Sequence, residues 1–597
     1  MPLVVQKFGG TSVADSTKIL SAARKAIRAQ QEGNKVVMVV SAMGKNTDTL
    51  VSLAGEINEK PPAREMDMLL STGEQVSVAL MAMAVESLGH KAVSLTGGQI
   101  GIRTDNIHTK ARIRSISTER MERHLEEGKI VIAAGFQGID EDLNITTLGR
   151  GGSDTTAVAL AAVLKADACE IYTDVDGVYT TDPRIMPEAR RAHNVSYDEM
   201  LELASLGAGV MHSRSVEFAK KFGVPIHVRS SFTDITGSMI VDQPELAGRA
   251  VSGCALTKDE ARITISEIPD VPGSSFEVFS RIAARNVTVD MIVQNIADGG
   301  KANISFTVPR AELETTLAAV EASREALGNI VVTHDDQAAK VSVVGQGMAH
   351  QSGVADRMFG ALADAGINIH MITTSEIKIS TLVAREQALD ALRAVHAVFE
   401  LDREPEEVQV APAAVAAATS ASKVRDALDV VERLRGLDME ELTIDDVSLD
   451  DTQARITIHS IADQPGVAQK VFSEIAKSDI FVDMIVQSFG NDGLATMSFT
   501  VPKDELDDAV AVSEKLSKEL GCGEVSHSAD VAKLSVSGIG LRSHTGVAIR
   551  MFQALSDAGI NLTMISTSEV RVNVVVDGAA GTNALESLQK AFADVLR

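Results

Sequence analysis

Lys7-Phe8-Gly9-Gly10-Thr11-Ser12 sets a lysine, two adjacent glycines and two hydroxyls at the end of an apolar run. Paired glycines let backbone N–H groups close around an anion, and lysine adds a compact positive charge. Ser41-Ala42-Met43-Gly44 ends a second apolar run. The densest string is Gly149-Arg150-Gly151-Gly152-Ser153-Asp154-Thr155-Thr156, just ahead of an alanine-rich helical pattern. Its glycines expose backbone donors for phosphate, while Ser153 or Asp154 could cap the helix. Together these strings suit the handling of phosphate groups.

Thr173-Asp174-Val175-Asp176-Gly177-Val178-Tyr179 continues to Asp182-Pro183-Arg184. A calcium loop would need glycine at its sixth position and glutamate at its twelfth, where Tyr179 and Ile185 stand. A nucleotide loop, with Tyr179 near a base and Arg184 near phosphate, is the physically sensible alternative. Glu74, in Ser71-Thr72-Gly73-Glu74-Gln75, reads either as ordinary first-turn helix charge or as a carboxylate for a substrate amino group. GxxxxGK[ST], GxGxxG, the nucleophile elbow and HExxH are all missing from the sequence.

Strand-like runs position these strings. Val36–Ala42, Ala92–Gly97, Ile130–Phe136 and Cys169–Asp174 read as short buried strands, with helical patterns at Thr17–Gln31 and Glu74–Leu88 and a further helix opening near Val13. That is an α/β fold, a mostly parallel sheet covered on both faces, which binds ligands at the carboxyl ends of its strands.

The remainder is duplicated. ARITISEIPDVPG at Ala261 returns as ARITIHSIADQPG at Ala454, an offset of 193, and VDMIVQ at Val289 returns at Val482. AKVSVVGQGMAHQSGVADRMF at Ala339 returns as AKLSVSGIGLRSHTGVAIRMF at Ala532. Each block is itself a weak double, giving four consecutive units of β-α-β-β-α-β type, about 60–75 residues each. The Glu-, Ala- and Pro-rich stretch between the blocks reads as a loop with a surface helix or as a flexible linker.

Composition narrows the classes. The 597 residues carry 56 Lys and Arg against 82 Asp and Glu, a net charge of −26, which argues against a broad nucleic-acid surface. Aromatic residues are only 3%, too few for base-stacking platforms. Cys169, Cys254 and Cys522 stand far apart, which points to a reducing, cytoplasmic setting and to no protein-held metal cluster. No signal peptide and no membrane span are expected.

KFGGTS, SAMG, STGEQVS, TTLGRGGSDTTA and TDVDGVYTTDPR, in this order, resemble the aspartokinase family. The resemblance implies an amino acid kinase (carbamate kinase-like) αβα sandwich followed by four ferredoxin-like ACT domains. The expected boundaries are 1–245 for the kinase, 250–328 and 329–400 for the first two ACT units, 401–442 for linker and helix, and 443–521 and 522–597 for the last two.

The implied activity is phosphorylation of the β-carboxylate of L-aspartate by ATP with Mg2+, under feedback by lysine, threonine or both. Lys7 would neutralise the transferred phosphoryl group, and Asp154 would organise the transfer site. Gly9, Gly10 and Ser41 would form the phosphate wall. Thr47, Glu74, Arg150 and Ser153 would meet aspartate. Thr173, Asp174, Tyr179 and Arg184 would form the nucleotide loop. Effectors would bind at Asp270, Pro272, Gly273, Asp290, Met291 and Gln294, and again at Asp463, Pro465, Gly466, Asp483, Met484 and Gln487. A homodimer or higher oligomer through ACT domains is the default, with the second block also able to serve as an intrachain partner for the first. Another amino acid kinase and a non-catalytic amino-acid sensor are the competing readings.

Overall fold

A computed structural model describes residues 1–596 apart from 208, 244–248, 298–299, 405–438, 441, 490–492 and 542–545. The first 241 residues build an eight-stranded sheet in the order Asn194–Ser196, Ser238–Val241, Ile226–Ser230, Ala168–Thr173, Leu3–Phe8, Lys35–Val40, Ile130–Ala134, Ala92–Leu95. Neighbours pair in parallel, except that Ile226–Ser230 and Ser238–Val241 are antiparallel. The central strands are apolar almost throughout because helices cover both faces. Ser16–Gln31 and Ala63–Ser87 pack on one face, and Gly152–Val163, Tyr197–Ser205 and Ser213–Phe222 on the other.

Register places the site. Phe8 lies opposite both Val40 and Tyr172, and Val40 lies opposite Ala134. Gly9, Ser41, Gly135 and Thr173 therefore leave the sheet at one edge.

Three local expectations change. The α-helix after the glycine pair begins at Ser16, capped by Asp15, with a short 3-10 turn at Gly10–Val13 before it. Glu74 is not in a first turn: its helix begins at Ala63. The helix expected from Glu74 thus runs through Gly73, where a Cβ would lie 2.8 Å from Ala42 Cβ and only glycine fits. This helix is long and apolar enough to cross a membrane, but half of that apolar window is buried, and buried Asp67 and Glu74 lie along it. It is a core helix of this domain.

Beyond this domain the described residues form one ten-stranded and one four-stranded sheet, built from small modules whose strands are not consecutive in the chain. Gly253–Pro269 is a single long strand. Its second half pairs with Lys301–Pro309 and with Val331–Asp335, while its first half pairs with Lys340–Val344. The first module is thus inserted into the second, which takes its fourth strand from Gly253–Thr257. A boundary at 328/329 does not separate them. The second block repeats the arrangement: Thr443–Asp450 pairs with Val531–Ile539, and the third module, Gln453–Ser528, is inserted between. The repeat shows equivalent residues, but which strand closes which sheet is decided by long-range pairing. The segment expected as linker and helix lies mostly outside the described residues.

The modules pair across the blocks. Met371–Ser375 of the second module joins Ile485–Phe489 of the third, fusing three modules into one ten-stranded sheet. The first module meets the fourth, where Gln294 Nε2 donates to Leu562 O at 2.7 Å. Asn295 Nδ2 donates to Ser488 Oγ at 3.0 Å, and Thr373 Oγ1 lies 3.4 Å from Ser566 Oγ. Both pairs join residues exactly one repeat apart, the mark of a pseudo-two-fold axis.

Candidate active site

A cavity of about 1300 Å3 opens at the carboxyl edge of the eight-stranded sheet. Lys7, the last residue but one of the strand Leu3–Phe8, reaches into it, and its Nζ lies 2.5 Å from Asp154 Oδ1. Both side chains are nearly buried, so the contact is screened little by water. Gly10 accepts from Gly44 N–H at 3.0 Å, which ties the loops after the first two strands together under the lysine.

The glycine-rich string turns from Leu148 into the helix Gly152–Val163. Gly151 is the N-cap residue, with φ +71° and no side-chain cap bond, so neither Ser153 nor Asp154 caps the helix. Asp154 is committed to Lys7 instead. A Cβ at Gly151 would come 2.3 Å from His212 Cβ, which explains the glycine. The helix's first turn thus opens toward the cavity without a competing side-chain acceptor. Arg150, exposed, and Ser153, buried, line the same wall.

Glu74 is 3% exposed and accepts from Ala42 N–H at 3.0 Å through Oε1, while its Oε2 has no hydrogen-bond partner. Burial pushes its pKa up to about 7, with the Ala42 hydrogen bond pulling the other way. Thr47 lines the wall beside it. His212, which sequence reasoning passed over, also faces the cavity, and burial holds its pKa below the usual histidine value, with Arg214 and Arg150 adding to the effect. Arg214, Glu217, Lys221 and Glu440 were likewise missed. His212-Ser213-Arg214 at a helix start was a legible signal; Glu440 carried none.

Of the expected nucleotide residues, Lys7, Gly10 and Ser41 line the cavity. Gly9 donates its N–H to Tyr172 O at 3.3 Å, beside the lysine. Thr173, Asp174, Tyr179 and Arg184 lie outside the cavity lining. Thr173 Oγ1 donates to Asp174 at 3.2 Å, Tyr179 donates to Asp176 at 2.7 Å, and Arg184 is held by Asp182 at 2.8 Å.

The expected effector residues divide. Asn561 Nδ2 donates to Asp270 Oδ1 at 2.7 Å, near Gln294, whose Oε1 accepts from Ser275 Oγ at 2.6 Å. In the other pair, Asn368 donates to Asp463, and Gln487 Nε2 donates to Ile369 O at 3.2 Å. Gly273 and Gly466 open the adjoining helices Ser274–Ala283 and Val467–Lys477, with Pro272 and Pro465 preceding them. Asp290 and Asp483 do not join these clefts: they pair with Lys340 and Lys533. Met291 and Met484 belong to a buried apolar cluster.

The profile of the amino acid kinase family matches residues 2–230, and the ACT domain profile matches 341–399, 458–515 and 534–592. Aspartokinase 2 of Bacillus subtilis is 51% identical over 409 residues, 68% of this chain and 100% of its own.

The chain belongs to the aspartokinase family.

Among solved structures, the aspartate kinase of Synechocystis is 40% identical, covers 99% of this chain and 98% of its own, and superposes with a TM-score of 0.52. Escherichia coli aspartokinase III, solved with aspartate and ADP in an R-state, is 26% identical over 66% of this chain and 99% of its own, with a TM-score of 0.57. The kinase cleft therefore belongs to an ATP-dependent aspartate kinase followed by ACT repeats.

Proposed function

We propose that the cleft transfers the γ-phosphoryl group of ATP to the β-carboxylate of L-aspartate, and that the paired modules bring this step under feedback by lysine, threonine or both. One observation carries the reading: Lys7, Glu74 and the Arg150–Asp154 string come from three separate stretches of chain onto one cavity at the sheet's carboxyl edge.

A carboxylate is already a competent nucleophile, so the reaction needs no strong general base. Its difficulty is bringing two anions together, and catalysis comes from alignment and charge neutralisation. Arg150 takes a substrate carboxylate and the unpartnered Oε2 of Glu74 takes the ammonium, which orients the β-carboxylate toward Lys7. Thr47 and Ser153 complete the aspartate contacts. Gly9, Gly10 and Ser41 wall the phosphates. Thr173, Asp174, Tyr179 and Arg184, beyond the end of the neighbouring strand, receive the rest of the nucleotide. An entering phosphate draws Lys7 from Asp154, which remains beside the transfer site.

Mg2+ is bound in such sites by one or two carboxylates and substrate phosphates. Among the described residues no group of three or more His, Cys, Asp or Glu could cage it, which fits a metal arriving on the triphosphate. Asp154 and Asp174 would be the carboxylates to meet it, and it would supply further charge neutralisation.

The regulatory part is four ACT units, and the chain works in the cytoplasm. Their pairing within one chain supplies two effector clefts, around Asp270–Gln294 and Asp463–Gln487, and leaves a homodimer or higher oligomer to form on other surfaces. A coupled ADP-release assay with aspartate, glutamate and acetylglutamate tests the substrate. Turnover on aspartate alone is the expected result.

A further inference from the structure

We infer that Glu440, which precedes the second regulatory block, is a positioning residue of the catalytic cleft: it fixes Arg214 and through it the turn that carries Arg150. The inference rests on the aspartate-kinase reading of that cleft.

Arg214 opens the helix Ser213–Phe222 and its guanidinium is the rivet. Nη1 donates to Leu148 O at 2.5 Å and Nη2 to Ala111 O at 2.6 Å. Leu148 directly precedes Gly149-Arg150, so one of these carbonyls sits at the root of the substrate-binding turn. The other segment is tied to the same turn, since Ala111 N–H donates to Thr147 O at 2.9 Å.

Glu440 closes the remaining side of the guanidinium. Arg214 Nε lies 2.5 Å from Oε2 and Nη2 lies 2.8 Å from Oε1, a two-bond fork. Oε1 also accepts from Ile113 N–H at 2.8 Å. Both side chains are largely buried, at 15% and 9% exposure, where a charge-assisted fork is strong and directional. The backbone of Met439 anchors the contact, its N–H donating to Arg114 O at 3.1 Å, while its side chain packs apart from the guanidinium in the apolar core.

The tie has a consequence for coupling. Three residues after Glu440 begins the strand Thr443–Asp450, whose first residue pairs with Ile539. Ile539 and Gly540 line the same cavity. A displacement of the fourth module thus pulls on the carboxylate that holds Arg214. Glu440 touches no reacting atom, so its effect falls on substrate placement.

The test uses the full chain, varying aspartate and ATP separately. Glu440→Gln keeps the shape and removes the charge. It should raise the aspartate KM roughly tenfold, the loss of about one charge-assisted hydrogen bond, with kcat and the ATP KM changed less than about twofold. Arg214→Lys should act in the same direction, and the double variant should be no worse than Arg214→Lys alone. Met439→Ala removes packing without charge, so it should lower the Tm and leave the aspartate KM unchanged. An unaltered aspartate KM in E440Q, additive defects in the double variant, or an equal KM rise in M439A would each overturn the inference. Wild-type turnover on aspartate is read in the same assay. Its absence would sink the functional reading, whereas its presence with an unchanged E440Q sinks this inference only.

Discussion

Lys7 and Asp154 meet at 2.5 Å across the mouth of the cleft, one from the end of the first strand and the other from the first turn of the helix that follows the glycine turn. The pair brings a cation to the edge where the backbone loops converge and holds it there before any phosphate arrives. Lys7→Ala should reduce kcat by roughly 10^3-fold or more, about 4 kcal/mol of transition-state stabilisation. Circular dichroism should show an intact fold, since the lysine lies at the surface of the cleft and not in the apolar core. A folded variant with near-normal kcat contradicts the role given to Lys7.

Glu74 ties activity to pH. Its folded pKa is raised to about 7, against 4.5 for the ordinary side chain. The folded chain therefore binds a proton that the unfolded chain has released, and stability is lost as pH rises from about 4.5 through 7, by up to ~3 kcal/mol. Glu74→Gln should thus raise the Tm at pH 8 and leave it nearly unchanged at pH 4. The carboxylate form is the one that receives an ammonium, so kcat/KM for aspartate should fall as pH drops below about 7. E74Q should lose that limb of the profile together with most aspartate affinity. A Tm at pH 8 no higher than wild type contradicts the burial argument.

Much of this cleft was legible in the sequence, because its glycines, lysine and acids follow strand runs that share one register. The misreadings share a cause. Glu74 looks like a helix start until the approach of Ala42 to Gly73 is known, and Asp154 looks like a cap until Lys7 is seen beside it. Asp290 and Asp483 lie in the repeated string VDMIVQ, but their direction is set by Lys340 and Lys533, each 50 positions later in sequence. Glu440 meets Arg214 across 226 positions, and no local pattern records that. The nested modules were invisible for the same reason: a repeat reports homologous residues, not which strands pair.

The two proposed effector clefts are not equivalent. Ser275 satisfies Gln294 Oε1, whereas Ala468 stands at the matching position of the other cleft and Gln487 Oε1 is buried without a hydrogen-bond partner. That acceptor suits an effector ammonium. Asp463→Ala should raise the half-inhibitory concentration of lysine or threonine roughly tenfold, and Asp270→Ala should act on its own cleft, each by loss of a charged hydrogen bond. Inhibition curves with each amino acid alone and together check this. If both variants matched wild type, these clefts would not be the effector sites.

Lys378 connects the kinase to the modules. It is fully buried and lies 2.8 Å from Glu202 of the kinase helix Tyr197–Ser205, while Glu569 of the fourth module donates its N–H to the same carboxylate at 3.0 Å. Burial alone would depress the lysine, but Glu202, Asp290 and Glu569 raise it. Lys378→Met strands Glu202 and should destabilise the chain by about 3–5 kcal/mol. Thermal unfolding with and without effector reads it: a lower Tm and a smaller effector-induced shift are expected, and an unchanged Tm contradicts the contact.

The central claim is tested most directly by trapping the product. Incubation with ATP, Mg2+ and L-aspartate in the presence of hydroxylamine should yield the β-hydroxamate of aspartate in step with ADP. Neither should form with glutamate or acetylglutamate, or with the Lys7→Ala chain. ADP formation without aspartyl hydroxamate, or equal hydroxamate from glutamate, would contradict the transfer of phosphate to the β-carboxylate of aspartate.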